Sequence, residues 1–160
     1  TRLESGALET RAAVCSPAPV AAEVAQLFAQ AAEKAGVKIE LEIDEGVSLG
    51  ISCDHFFQVL ENLLDNALRF SPDGGRILVS ARREGGLGRG SGSDQGPGVP
   101  PDEQGRIFER FYKAGGHTGS STGLGLAICK HIVEFYGGGI SLESPSGDFA
   151  STFSFTLQAL

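Results

Sequence analysis

The segment from Asp54 to Phe70 constrains the fold more than any other part of the chain. Its apolar residues recur every three or four positions, which is the spacing of one face of an α-helix. Asp54 is placed to cap the N-terminus, and the turn-forming sequence SPDGG at 71–75 ends the pattern. The apolar face comprises Phe56, Val59, Leu60, Leu63, Leu64, Ala67 and Leu68. A helix of this kind needs a second layer of structure that buries this face.

The rest of the chain alternates between helix and strand patterns. Residues 1–10 resemble the end of a helix that begins upstream, and a further helix is predicted over 19–34, with Gly36 as its end. We predict strands over 37–43, 76–82, 139–144 and 150–157, a short helix over 101–110 and a longer one over 123–136. Several strands are spaced as hairpins, which favours the α+β class.

Composition excludes some classes of protein. The chain has 160 residues, which suits one domain, and its net charge of −7 argues against a broad surface for nucleic acid or anionic membrane. No apolar run approaches the roughly 18 residues that span a bilayer. The N-terminus lacks Met and a signal-peptide pattern, which predicts a part of a longer chain. The three scattered cysteines predict reduced thiols in a reducing compartment, with Cys129 as a small core residue.

The helix at 54–70 also has a polar face. Gln58, Asn62, Asn66 and Arg69 recur at intervals of four, four and three residues, so they form one stripe. Asn disfavours helix interiors, and two in mid-helix suggest a purpose. An amide oxygen suits Mg²⁺, and an arginine one turn on suits a phosphate oxygen. A solvated helix face is the alternative, and the spacing leaves both open.

Two short glycine-rich sequences are candidate binding loops. In DQGPG at 94–98, Asp94 is suited to accept a hydrogen bond from an exocyclic amine, and the glycines admit a flat ring; an ordinary turn is the alternative. In STGLGLAI at 121–128, small residues lead into a helix N-terminus, where backbone N–H groups attract anions. A simple capped helix start is the alternative there.

The sequence LGRGSGS at 87–93 alternates glycine with other residues. It reads either as a linker or as a strand whose inward face consists of Gly88, Gly90 and Gly92. We predict the strand, with an inward face that is under-filled because glycine supplies no side chain. On this prediction, valines at the three positions would raise the melting temperature.

Four ordered motifs together resemble the ATP-binding catalytic domain of sensor histidine kinases. They are NLLDNALRFSPDGG, DQGPGVP, IFERFYK and TGLGLAICKHIVEFYGGGISLES, and the resemblance covers roughly residues 18–158. The wider superfamily includes type II topoisomerases, chaperone ATPases and mismatch-repair ATPases. The resemblance implies a two-layer sandwich of a mixed sheet and about three helices, with ATP between the helices and a lid loop. It also assigns 1–17 to the end of a dimerisation-domain helix and its linker, and 18–160 to the catalytic domain.

The resemblance implies a role for each matching residue. Asn62 would hold Mg²⁺, and Arg69 would contact a phosphate. Asp94 would bind the adenine amine. Phe108 and Phe111 would anchor the lid, which is loop 113–122. The other implied nucleotide-binding residues are Asn66, Gly96, Gly98, Tyr112, Lys113, Thr122, Gly123, Leu124, Gly125 and Leu126. Ser121 departs from the pattern, because it stands where the family usually has a glycine.

The implied reaction is transfer of the ATP γ-phosphoryl group to a histidine on a separate dimerisation domain, with a response regulator as a further partner. The full-length protein would be a homodimer with this domain in the cytoplasm, anchored in the inner or plasma membrane. One alternative is ATP hydrolysis, for which relatives carry a glutamate base at the position of Gln58; Glu61 is a weaker candidate base. Another alternative is a degenerate nucleotide-binding or interaction domain.

Overall fold

The computed structural model describes residues 13–110, 124–145 and 147–160. Five strands form one mixed sheet: β1 (Lys38–Ile43), β2 (Arg76–Glu84), β3 (Leu87–Asp94), β4 (Gly139–Glu143) and β5 (Ser151–Gln158). Their order across the sheet is β1-β2-β3-β5-β4, with β1 parallel to β2 and every other pair antiparallel. The predicted α+β sandwich is therefore confirmed, and each predicted strand is present with its ends shifted by one or two residues.

In the described residues, four helices pack against this sheet: α1 (Pro17–Leu27), α2 (Ala29–Ala35), α3 (Cys53–Phe70) and α4 (Gly125–Phe135). The single helix predicted over 19–34 is wrong in one respect, because the chain breaks at Phe28 into α1 and α2. Gly36 ends α2 with a φ of 69°, a left-handed conformation that glycine adopts readily. The short helix predicted over 101–110 is reduced to one 3₁₀ turn at Gln104–Arg106. None of the helices described is long and apolar enough to cross a membrane.

The apolar face of α3 is buried as predicted, but its N-cap is a different residue. The side chain of Ser52, not Asp54, accepts a hydrogen bond from the backbone N–H of His55 at 3.2 Å. Asp54 lies in the first turn, where its charge still favours the positive end of the helix dipole. The core joins this face to β2, β5 and α4, and its largest fully buried side chains include Phe56, Phe155, Ile77 and Val133.

The segment 87–93 is a strand, as predicted, but its glycine face is not under-filled. A Cβ atom at Gly88 would overlap the side chain of Leu49, and one at Gly90 would lie 2.7 Å from Cε2 of Phe155. Phe155 is the cross-strand partner of Gly90, so its ring lies over the glycine and fills the space that a side chain would take. At Gly92 a Cβ would meet Leu63 at an ordinary 3.7 Å. The expectation that three valines would stabilise the strand is therefore wrong.

The prediction that the thiols are all reduced is wrong for two of them. Cys15 and Cys53 form a disulfide, with Cα atoms 5.0 Å apart, although 38 residues separate them in sequence. The fold brings them together because Cys15 exchanges two backbone hydrogen bonds with Leu49, just before α3. Cys129 is a buried thiol in the core, as predicted.

Candidate nucleotide-binding site

Asn62 is placed where two helices meet. Helix α4 packs beside α3 so that a Cβ at Gly125 would lie 3.8 Å from the Cβ, Cγ and Oδ1 atoms of Asn62. Asn62 and Asn66 are half-buried, whereas Gln58 at the other end of the stripe is exposed. Gln58 is solvated, as the solvated-face alternative predicts, whereas the two asparagines are partly withdrawn from solvent. The structure brings the first asparagine and the glycine-rich helix start together.

The side chain of Asn62 has the chemistry that a magnesium ion needs. Its Nδ2 atom is buried and, among the described residues, has no hydrogen-bond partner of ordinary geometry. Its oxygen is a neutral, hard donor of the type that Mg²⁺ takes. In the described part of the chain, no three His, Cys, Asp or Glu side chains come together to hold a metal. Mg²⁺ sites in proteins commonly combine a few oxygen donors of the protein with waters and substrate phosphates, and the Asn62 amide oxygen fits such a site.

Arg69 forms an ion pair with a neighbour on its own helix. Its guanidinium donates a hydrogen bond to Asp65 at 2.8 Å, across one helical turn. The Asp65 side chain is 55% exposed, so this is a surface ion pair of small energy, about 0–1 kcal/mol.

Asp94 ends β3 as a buried carboxylate with one oxygen already engaged. It is 5% exposed, and its Oδ1 accepts a hydrogen bond from the backbone N–H of Gly96 at 2.9 Å. Burial raises the pKa of Asp94 above its usual value, and the hydrogen bond from Gly96 opposes that rise in part. The Gly96 bond fixes the orientation of the carboxyl group.

The loop after Asp94 needs its two glycines. A Cβ at Gly96 would lie 2.7 Å from the backbone oxygen of Phe70, the last residue of α3. Gly98 has a φ of 77°, which side chains disfavour. The close approach of Gly96 to Phe70 packs the Asp94 loop directly against the end of the helix that carries the asparagines.

The start of α4 provides backbone N–H groups to the same region. Leu124 occupies the N-cap position and has no side-chain oxygen to accept from the first turn, which begins at Gly125. Leu124, Gly125 and Leu126 are half-buried. The predicted site residues Tyr112, Lys113, Thr122 and Gly123, together with Phe111, Ser121 and the lid at 113–122, lie outside the described residues. Phe108 is half-buried and packs edge-to-face on the core residue Phe153, with ring centroids 5.9 Å apart.

Two features near the site were not predicted from the sequence. The hydroxyls of Ser93, which is buried, and Thr152, which is half-buried, form a hydrogen bond at 2.8 Å, next to the cross-strand pair of Asp94 and Ser151. The sequence signal for the Thr152 hydroxyl is the AST run at 150–152, which lies in the strand predicted over 150–157. The second feature is the contact between Cys129 and the asparagine helix, which a single cysteine in an apolar pattern does not reveal.

Known proteins resemble this chain in sequence and in fold. The chain is 36% identical over 151 residues to the alginate biosynthesis sensor protein KinB of Pseudomonas aeruginosa. The matched region covers 94% of this chain and 25% of the relative. The chain thus spans about a quarter of that protein's length. The catalytic domain of histidine kinase ThkA superposes with a TM-score of 0.81 at 26% identity, over 91% of this chain and 93% of that one.

Two larger structures contain the same fold. Full-length ShkA in complex with AMPPNP matches at a TM-score of 0.78 and 29% identity, over 92% of this chain and 31% of that one. ThkA in complex with the response regulator protein TrrA matches at a TM-score of 0.76 and 25% identity, over 91% of this chain and 41% of that one. The model of the family described as histidine kinase-, DNA gyrase B- and HSP90-like ATPases matches residues 51–160, which hold α3, the Asp94 loop and α4. The chain belongs to this family of ATPases.

Proposed function

We propose that this chain is the ATP-binding catalytic domain of a two-component sensor histidine kinase, which transfers the γ-phosphoryl group of ATP to a histidine on a separate dimerisation domain. The observation that carries the proposal is the position of Asn62 against Gly125, because it joins a metal-ligand amide to an anion-attracting helix start. Phosphoryl transfer depends mainly on such positioning and on charge neutralisation. The family match and the likeness to histidine kinases support the same conclusion.

Each end of the nucleotide has a proposed set of partners. Asp94 binds the adenine amine, with Gly96 and Gly98 lining the base pocket, and Asn66 and Arg69 lie toward the phosphates. At the start of α4, the N–H groups of Leu124, Gly125 and Leu126 face the triphosphate. Tyr112, Lys113, Thr122 and Gly123 keep the nucleotide-binding roles that the resemblance implies. Arg69 exchanges its exposed ion pair with Asp65 for a phosphate oxygen.

Asn62 is the residue that would hold Mg²⁺. When bound, the ion would neutralise charge on the phosphate oxygens during transfer. The protein's own part is to keep the Asn62 amide oxygen at the meeting point of α3 and α4. A neutral ligand leaves the ion's positive charge available to the phosphates.

Transfer to histidine is favoured over hydrolysis by the residue one turn before Asn62. Gln58 is exposed and carries an amide, which cannot take a proton from a water molecule. A hydrolase needs a base near the attacking water, whereas transfer to a histidine uses the imidazole itself as nucleophile. The alternative of ATP hydrolysis therefore receives no support from this position.

The proposal extends to the parts of the protein around this domain. Residues 1–17 are proposed to end a dimerisation-domain helix and its linker, and 18–160 to form the catalytic domain. The histidine-bearing domain belongs to the same full-length protein, which acts as a homodimer. A response regulator receives the phosphoryl group, as the ThkA–TrrA complex suggests by analogy. The domain is cytoplasmic, and the full-length protein is anchored in the inner or plasma membrane.

Nucleotide binding with and without Mg²⁺ tests the proposal. Asn62→Ala should weaken Mg²⁺-dependent ATP binding by roughly tenfold or more, since disturbing even the surroundings of a metal ligand costs about 10–100-fold in affinity. Its melting temperature should change little. Gln58→Ala, on the same stripe but exposed, is the matched control and should bind like the parent. Equal ATP affinity in the parent and Asn62→Ala would contradict the metal assignment.

Phosphotransfer is tested with the longer natural protein. With radiolabelled ATP it should form an acid-labile, base-stable phosphohistidine, and Asn62→Ala in the same protein should not. Residues 1–160 alone should bind ATP without becoming labelled. Steady release of inorganic phosphate with no phosphohistidine would favour the hydrolase instead.

A further inference from the structure

The disulfide between Cys15 and Cys53 joins the segment before α1 to the first residue of α3. The two Cα atoms are 5.0 Å apart, and the bond closes a loop between residues 38 positions apart in sequence. Cys53 begins the helix that carries Asn62. Cys15 lies within 1–17, the residues proposed to connect this domain to the dimerisation domain. The disulfide therefore ties the nucleotide-binding helix to the proposed linker.

The two cysteines differ in their access to solvent. Cys53 is exposed, whereas Cys15 is 1% exposed and belongs to the core. The backbone N–H groups at the start of α3 favour a negatively charged sulfur at Cys53, but the Asp54 carboxylate beside it acts in the opposite direction. Exposure is therefore the deciding difference. An exposed cysteine next to a buried one is typical of redox-sensitive pairs, in which the first meets the reagent and the second resolves the bond.

The proposed location of the domain sets what such a bond can do. In the cytoplasm, glutathione and thioredoxin keep thiols reduced, and the disulfides that do form are usually transient and catalytic or redox-sensing. The third cysteine, Cys129, is a buried free thiol. The exposed end of the Cys15–Cys53 bond is therefore the place where a reagent in solution can reach a sulfur of this domain.

We propose that the Cys15–Cys53 bond is a thiol–disulfide exchange site for a dithiol reductant, and that its reduction lengthens the tether of this domain. A thiolate of the dithiol attacks the Cys53 sulfur, the S–S bond breaks, and Cys15 leaves as a thiolate that takes up a proton. The second thiol of the reductant then attacks the mixed disulfide and releases Cys53. The protein gains two electrons and two protons, and the reductant becomes a disulfide. The inference rests on the proposed function, which supplies both the linker and the cytoplasmic location.

The contacts around Cys15 show how reduction would act on the tether. Its backbone exchanges two hydrogen bonds with Leu49, at 2.9 and 2.8 Å, and the preceding Val14 is 52% exposed. Without the disulfide, this short pairing can open from its exposed end, and α1 from Pro17 onward becomes the anchor. Release of residues 15–16 lengthens the tether by up to about 7 Å.

Thiol trapping in the folded protein tests the exchange site. The protein is equilibrated with reduced or oxidised dithiothreitol, free thiols are trapped with N-ethylmaleimide, and the products are identified by mass spectrometry. The Cys15–Cys53 bond should open in the reduced buffer and form in the oxidised one, without denaturant. A bond that opens only when the protein unfolds, or that never forms, would overturn the proposal.

Two matched variants test which sulfur meets the reagent. Cys15→Ala leaves the exposed Cys53, which should form a mixed disulfide with oxidised glutathione. Cys53→Ala leaves the buried Cys15, which should not. Melting curves show whether each variant is folded, and the trapping of the parent stands without them. Equal glutathione labelling of the two folded variants would contradict the role of Cys53.

The tether is tested in the longer natural protein with radiolabelled ATP. Phosphohistidine should form roughly threefold faster or more in the reduced protein than in the oxidised one, because a longer tether lets the domain reach the histidine more often. ATP affinity should be the same in both states. Cys53→Ala should transfer at the reduced rate in both buffers, which separates this bond from any other thiol of the protein.

The outcomes distinguish this inference from the proposed function. Equal transfer rates in the two redox states of the parent would overturn the tether role, and so would a redox response that persists in Cys53→Ala. A protein that forms no phosphohistidine in either state would overturn the kinase proposal and the tether role with it. Thiol trapping would still decide whether the exchange site exists, since it requires neither ATP nor a histidine.

Discussion

Glycines lie on both sides of Ser93: Gly88, Gly90 and Gly92 in strand β3, and Gly96 and Gly98 in the loop after it. The two groups contact different kinds of neighbours. In the strand, the side chain of Leu49 lies against Gly88, and the ring of Phe155 lies against Gly90. In the loop, the backbone oxygen of Phe70 lies against Gly96. In the strand, the side chains of Leu49 and Phe155 therefore occupy the space that side chains at Gly88 and Gly90 would take. Glycine in the loop brings two stretches of backbone together at the edge of the binding site.

The comparison separates stability from binding. A side chain added at Gly88 or Gly90 displaces core atoms of Leu49 or Phe155, neither of which is a proposed nucleotide-binding residue, so stability should respond first. A side chain added in the loop moves the backbone that orients Asp94, so binding should respond first. Substitutions on each side of Ser93 test whether this separation holds.

The largest effect is expected at Gly90. In Gly90→Ala the new Cβ meets the ring of Phe155, which is 1% exposed and packs edge-to-face on Phe56 at 6.1 Å. The ring has little room to move, so the free energy of unfolding should fall by about 3 kcal/mol. For a chain of this size the melting temperature should drop by roughly 6–12 °C. A thermal melt beside the parent checks this, and an unchanged or raised melting temperature would show that the face is under-filled after all.

The next effect is expected at Gly96. In Gly96→Ala the Cβ would also lie 3.1 Å from Oδ1 of Asp94, so the loop must shift and the carboxyl group loses its fixed orientation. ATP affinity should fall roughly tenfold or more, because a buried polar partner is then misplaced. Titration with a fluorescent ATP analogue and competition with ATP measures the loss. Gly105→Ala, where a Cβ meets nothing within 4 Å, is the matched control and should bind like the parent.

The sites at Gly90 and Gly96 show which features of the structure can be predicted from the sequence. Periodicity located α3 and the five strands, and the asparagine spacing found the polar face, since both are local properties of the chain. The covering of Gly90 was not predictable because it depends on the register that places Phe155 of β5 opposite it. Register is a long-range property, and the glycine pattern is the same whether the face is empty or filled.

The disulfide and the helix break were missed for related reasons. Cys15 and Cys53 are far apart in sequence and meet only because the chain before α1 pairs with Leu49. The break at Phe28 leaves the apolar spacing of α1 and α2 nearly continuous, so periodicity alone joins them. The buried contact of Asn62 with α4 likewise requires the packing of two helices, which no local pattern contains.

A third effect concerns the carboxylate between the two groups of glycines. In the proposed site, Asp94 would accept from an adenine amine but not from the guanine oxygen, so the parent should prefer ATP over GTP by roughly tenfold or more, and Asp94→Asn should lose this preference. Competition titrations with both nucleotides check it; equal affinities in the parent would contradict the adenine role.

The pH dependence of stability provides a separate check on Asp94. Because burial raises the pKa of Asp94 in the folded state above its unfolded value, its contribution to stability is present below the unfolded pKa and lost as pH rises through the folded one. Asp94→Asn should therefore gain stability relative to the parent near neutral pH, and the gain should disappear in acid. Melting curves of both proteins across that range show the trend. A gain that grows toward low pH would mean that the pKa is lowered instead.

The smallest effect is expected at Gly92, where alanine should raise the melting temperature and not lower it. Its Cβ would meet Leu63 of α3 at 3.7 and 3.9 Å, which are ordinary contact distances. Alanine here removes the conformational freedom of a strand glycine, worth about 0.5–1 kcal/mol, and adds one methyl group to a partly buried face. Gly92→Ala should therefore raise the melting temperature by roughly 1–4 °C and leave ATP binding unchanged. Because Gly90 and Gly92 lie on the same face of the same strand, opposite signs for their alanine variants can only come from their different neighbours. A fall in melting temperature for both would mean that the whole glycine face is closed, and that Leu63 packs on β3 as tightly as Phe155 does.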